Sequence, residues 1–179
     1  MSCVDPATEV INTAVAAMAR RFDPDQECPP HAGGSTEVRF LPGADGFPVW
    51  ATIHDDRCDP LLWVRVVQRY RSTPTEFPAV VEESVQRCAT GAFNVLEIAV
   101  GVTRCSVMDT DIQHVDWATI ADEAAASLDD SWRVQQALCD IRLLQSKSRA
   151  VNTANVACAG PEGGYITWAG VAQVQIAKG

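Results

Sequence analysis

At 179 residues, 47% of them apolar and 21% charged, the chain has the size and balance of one ordinary globular domain, able to fold without disulfide or metal staples. Its formal charge of −9 argues against wrapping nucleic acid, which needs clustered Lys and Arg. No apolar run is long enough to span a bilayer, and Met1 to Pro6 lacks a basic segment followed by an apolar one, so synthesis and folding in a cytosol are expected.

In chain order, Asp5-Pro6 predicts a helix start, with Asp as cap and Pro in the first turn. Val10, Ile11, Ala14, Val15, Met18 and Phe22 follow at helical spacing, and Asp23-Pro24 ends the helix behind Arg20 and Arg21. Residues 23–46 form a Pro/Gly-rich connection containing a short alternating strand over 36–41. A second alternating stretch, 49–54, reads as a strand, and 55–60 as a turn. The strand over 61–71 should place Leu62, Val64, Val66 and Tyr70 on a packed face, and Trp63, Arg65, Val67 and Arg69 on a wet one. Residues 72–86, with two prolines and three glutamates, predict a long exposed loop of the kind that carries function. The near-continuous apolar run 93–104 predicts a central strand. A long helix is expected from Asp116 to about residue 145. Trp117, Ile120, Ala121, Ala124, Leu128, Trp132, Leu138 and Ile141 supply its packed stripe, with a kink or break at Asp129-Asp130-Ser131. A small-residue loop over 148–164 and a last strand over 165–176, with Gly170 as a bulge, close the chain. The result is a single α+β domain, 1–179. Its mostly antiparallel sheet carries on one face an N-terminal helix and a long helix between the last two strands.

The sequence offers little chemistry. His31, His54 and His114 form no metal or catalytic pairing, and the Gly-rich stretches at 33–35 and 160–164 read as turns, not phosphate loops. Asp109, Asp111 and Asp116 have the oxygen chemistry of a cation site without its spacing; capping and solvation explain them. No catalytic residue, metal or cofactor is expected. The seven cysteines (3, 28, 58, 88, 105, 139 and 158) form no CxxC pair, and buried thiols suit a cytosolic chain. One or two late disulfides are the alternative, with Cys58 and Cys88 the candidate pair. Of the 14 basic residues, 12 are Arg and only Lys147 and Lys178 are Lys, a bias of GC-rich coding.

The remaining signal is surface. Five tryptophans (50, 63, 117, 132 and 168), an Arg-bearing strand and an acidic loop suit a self-associating subunit. The candidate interface comprises Trp63, Arg65, Arg69, Glu76, Phe77, Glu82, Glu83 and Trp168.

Three stretches carry a resemblance: Leu61-Leu62-Trp63-Val64-Arg65-Val66-Val67 with Phe77-Pro78 and Cys88; Val95 through Cys105; and Gly163-Gly164-Tyr165-Ile166-Thr167-Trp168. Together they resemble structural proteins of the neck of siphophages that infect actinobacteria, among head-to-tail connectors and tail terminators. Adaptors of that group are helical and stoppers are small β-barrels, so the expected element order resembles the tail terminators, although residues 25–46 depart from their compact pattern. The resemblance implies a hexameric ring that caps the tail tube. It implies contacts with the major tail tube protein and with stopper or adaptor proteins, a place in the virion neck, and genomic DNA passing through the lumen without specific binding. A stopper, connector or minor tail protein, a small thiol hydrolase using Cys105 or Cys58, and a ligand-binding α+β domain are the competing readings.

Overall fold

A computed structural model describes residues 4–43, 59–80, 91–106, 116–147, 149–162 and 164–176. Helix α1 (Ala7–Arg21) starts one residue later than expected, with Pro6 at the cap position, and the Asp5 carboxylate accepts from the Ala7 amide at 2.9 Å. Strands β1 (Val38–Leu41), β2 (Leu61–Ser72) and β3 (Phe93–Cys105) follow, then α2 (Trp117–Ile141), which continues as a 3₁₀ turn over Arg142–Lys147. The chain ends in β4 (Val151–Thr153), β5 (Ala157–Glu162) and β6 (Tyr165–Gln175).

These strands form one mixed six-stranded sheet in the order β1-β2-β3-β6-β4, with β5 also paired to β6. β1 runs parallel to β2, and every other pairing is antiparallel. The apolar run 93–104 becomes the centre of the sheet, as its composition requires. Both helices pack on one face. Leu62, Val64, Leu96, Ile98, Val100 and Val102 meet Val10, Met18 and Phe22 from α1, and Val134, Leu138 and Ile141 from α2. The architecture is α+β, with helices on one side of a sheet dominated by antiparallel pairs.

Four local expectations are corrected. First, the strand over 61–71 does not keep one alternation. Its pairing with β3 shifts between Val66 and Gln68, so Val67 is an extra residue and everything after it changes face. Val66 packs with the helices, but Tyr70 does not share that side with it. Arg69, opposite Leu96, reaches the α1 cap and pairs with Asp5. Second, α2 runs unbroken through Asp129-Asp130-Ser131. Third, 148–164 is not a loop: β4 and β5 lie there along β6, so three strands follow the long helix. Fourth, Gly170 is no bulge. It sits in unbroken register opposite Val100, where a Cβ would come within 2.6 Å of Leu138 Cδ1. The expected strand 49–54 and turn residues 55–58 lie outside the described residues. Of the loop 72–86, Ser72 belongs to β2, 73–80 form turns, and 81–86 are outside the description.

Candidate functional site

The structure divides the expected interface residues between two faces of the sheet. Trp63 is only 2% exposed. It lies over Gly101 on the face away from the helices, donates from Nε1 to Thr103 Oγ1 at 3.3 Å, and carries the Arg65 guanidinium 5.0 Å from its ring centre. Trp63 is therefore core of this chain, not open surface. Trp168 is half-buried on the helix side, where its Nε1 donates to Ser127 Oγ of α2 at 2.7 Å. Arg69 is on that same side, bound to Asp5. Glu76 is exposed and accepts from Thr73 Oγ1 at 3.0 Å. Phe77 is half-buried, with its ring 5.8 Å from that of Phe93. Glu82 and Glu83 lie outside the described residues, as do Trp50, His54, His114, Asp109, Asp111 and the Cys58–Cys88 pair.

Away from the helices the sheet also carries a polar row. Gln68, Glu97, Gln173 and Asn152 stand side by side across four strands. Glu97 Oε2 accepts from Gln173 at 2.8 Å and from Gln68 at 3.3 Å, and Asn152 donates to Gln173 Oε1 at 2.8 Å. Nearby, burial and the Glu97 charge push the Tyr70 phenol up to about 12, so it stays a donor, to the Pro78 carbonyl at 2.7 Å.

On the helix side, charged residues of α2 and β3 hold the segment 22–33. Arg104 binds Asp130 at 2.6 and 3.0 Å and donates to the Ala32 and Gly33 carbonyls at 2.8 and 2.9 Å. Arg133 binds Asp129 at 2.7 Å and donates to the carbonyls of Arg21, Cys28 and Pro29. His31 donates its amide to Asp129 and faces Asp122 at 3.0 Å. Farther along α2, Asp140 takes both Arg21 and Arg20. Burial pushes the Asp130 carboxyl above its usual value despite Arg104. At Asp140 burial also pushes upward, but the hydrogen bonds from Arg21 and Arg20 outweigh it and leave the carboxyl below its usual value. Asp129, His31 and Arg133 line one side of an open groove of about 780 Å³ beside Leu128 and Trp132. Arg133 spends four hydrogen bonds on Asp129 and backbone carbonyls, so this cluster fastens a loop to a helix rather than presenting free acids and bases.

No protein-family model and no curated protein matches this chain. The remaining signal lies on the molecule's own surface.

That surface has one feature the sequence was expected to bury. Residues 117–122 of α2 and the Asp116 cap are all exposed, and burial begins in earnest only at Ala126. Trp117 is 74% exposed, Leu128 72%, Trp132 56% and Ile120 38%. The predicted packed stripe is thus the solvent face over most of its length; only Leu138 and Ile141 of it are buried. The true packed face is Ala126, Val134, Ala137, Leu138 and Ile141 interleaved with the paired Asp130, Arg133 and Asp140. Two apolar stripes compete on this helix, and charge made the correct one look polar. Asp116 caps the exposed end, accepting from the Ala118 amide at 3.0 Å and the Thr119 hydroxyl at 2.6 Å, as capping predicts.

The cysteines divide as well. Cys28, Cys139 and Cys158 are free but exposed, not buried, and Cys105 is disulfide-bonded, which removes it as a thiol nucleophile. No helix among the described residues is long and apolar enough to cross a membrane.

Proposed function

We propose that this chain is a structural subunit of a siphophage neck. It forms a hexameric ring that terminates the tail tube and joins it to the head, with DNA passing through the lumen. The single observation that carries an assembly role is the overhanging half of α2, with two exposed tryptophans and Leu128 on one continuous apolar face. Soluble monomers rarely leave such a patch uncovered, and aromatic anchors dominate binding interfaces. The phage context comes from the resemblance of the β2, β3 and β6 sequences, and the α+β layering with both helices on one face is compatible with it. A stopper, connector or minor tail protein is the neighbouring reading.

The groove lined by His31, Asp129 and Arg133 favours a second reading, a ligand-binding domain. Its polar groups are already engaged with each other and with the backbone, which weighs against it. A reconstruction of the intact phage particle tests the proposal. Six copies of this chain between head and tail tube is the expected result. Finding the chain elsewhere in the particle, or absent from it, rejects the neck role.

A further inference from the structure

We infer that the exposed face of α2 binds a second copy of this chain across a two-fold axis, helix antiparallel to helix. This rests on reading α2 as an assembly surface and adds the partner and the geometry. A two-fold axis through the point between Ala124 and Ala125 sets the stripe against itself in complementary pairs. Reversed there, Trp117 falls on Trp132, Ala121 on Leu128, and Ala124 on Ala125. Across a two-fold axis residue i meets j while j meets i, so each of these pairings occurs twice and each must be self-complementary. The sizes match too. Two alanines lie at the crossing, where the backbones approach most closely. Each Leu128 then faces an Ala121, and tryptophans meet at both ends. No charged side chain falls on the stripe; Asp122, Glu123 and Asp129 point to other sides of the helix.

Area supports a second copy as well. With the exposures above, the two tryptophans, Leu128 and the alanines offer on the order of 500 Å² of surface. A stable interface takes about 800 Å² from each partner. The groove beside Leu128 and Trp132, walled by Cys28 and Pro29, supplies the rest. The two-fold brings the second copy's Trp117 to the mouth of that groove, the setting in which an aromatic anchor contributes most. The pair is isologous, so it is a contact additional to the head-to-tail contacts that close a ring.

Sedimentation velocity of the full chain, from about 1 to about 100 μM, tests this. The wild type is expected to pass from monomer to dimer over that range. A121K and L128E each place a charge in the contact and are each expected to weaken association at least about 30-fold. Both positions are exposed, so helix content by circular dichroism should stay at the wild-type level. Mixing the two variants restores a dimer, because the new ammonium on one chain then faces the new carboxylate on the other. A wild type that stays monomeric at the highest concentration overturns the inference. So do variants that dimerise as well as wild type, or a mixture that stays monomeric. A monomer that nonetheless occupies the phage neck removes the pair and leaves the neck reading standing; a dimer from a chain absent from the neck does the reverse.

Discussion

Gly101 and Gly170 show how much one missing Cβ decides in this sheet. At Gly101 a Cβ would strike the Trp63 ring and come within 2.7 Å of the Trp168 carbonyl, and neither a buried indole nor a strand backbone can retreat. At Gly170 the obstacle is the end of Leu138, a flexible side chain. Gly101→Ala should therefore cost about 1–3 kcal/mol, and Gly170→Ala clearly less, in denaturant unfolding; equal costs would contradict the packing described. The aspartates of α2 carry opposite signs with pH. Asp140 has a folded-state pKa below its unfolded value near 3.8, so its contribution is complete above that value and is lost as pH falls through the folded one. Asp140→Asn should cost about 1–2 kcal/mol at neutral pH, because Arg20 is largely exposed, and should flatten the acid limb of stability against pH. Asp130, raised by burial, works the other way: its ionised form is the less favourable one in the fold, so protonation on acidification relieves a cost. Neither role was readable from the sequence. Asp129-Asp130-Ser131 has the composition of a cap, and only partners far along the chain (His31, Arg104) turn it into an anchor.

Elements whose own residues decide them were readable: α1 from Asp5-Pro6 and its spaced apolar positions, β3 from its continuous apolar run, α2 from the Asp116 cap, and β6 from its alternation. Those decided by a neighbour were not. β4 and β5, rich in Ala, Asn and Gly, look like a loop and become strands because β6 offers a free edge. The extra residue at Val67 is equally silent in the sequence, yet it turns Arg69 toward α1 and Tyr70 away. The stripe of α2 misleads for a related reason: periodicity gives an apolar face but not what that face meets. The segment 22–33, too, keeps its place through contacts rather than propensity. Arg133→Met would strip three backbone carbonyls of their donor and leave Asp129 without its guanidinium. The expected cost is about 2–3 kcal/mol, with limited proteolysis cutting residues 22–30 first. Uniform protection of that segment in the variant would show that the loop holds itself.

At the scale of the whole molecule, seven of the described arginines are paired with acid. Arg20 and Arg21 bind Asp140, Arg39 binds Glu37, Arg69 binds Asp5, Arg104 binds Asp130, Arg133 binds Asp129, and Arg149 binds Glu9. Those seven guanidiniums face carboxylates, in a chain whose total charge is −9. Affinity for a duplex comes mostly from releasing its condensed counterions, which requires cations free to replace them. A paired arginine must first give up its carboxylate, and the excess acid repels the phosphates from a distance. Duplex DNA of any sequence should therefore run unretarded with this chain in a gel-shift assay at about 50 mM salt, where non-specific binders are strongest. The same charge would let DNA slide past a ring of such subunits without sticking. A retarded band whose strength falls steeply with added salt would mean that a basic surface exists after all, and the idea of an inert acidic passage would have to be abandoned.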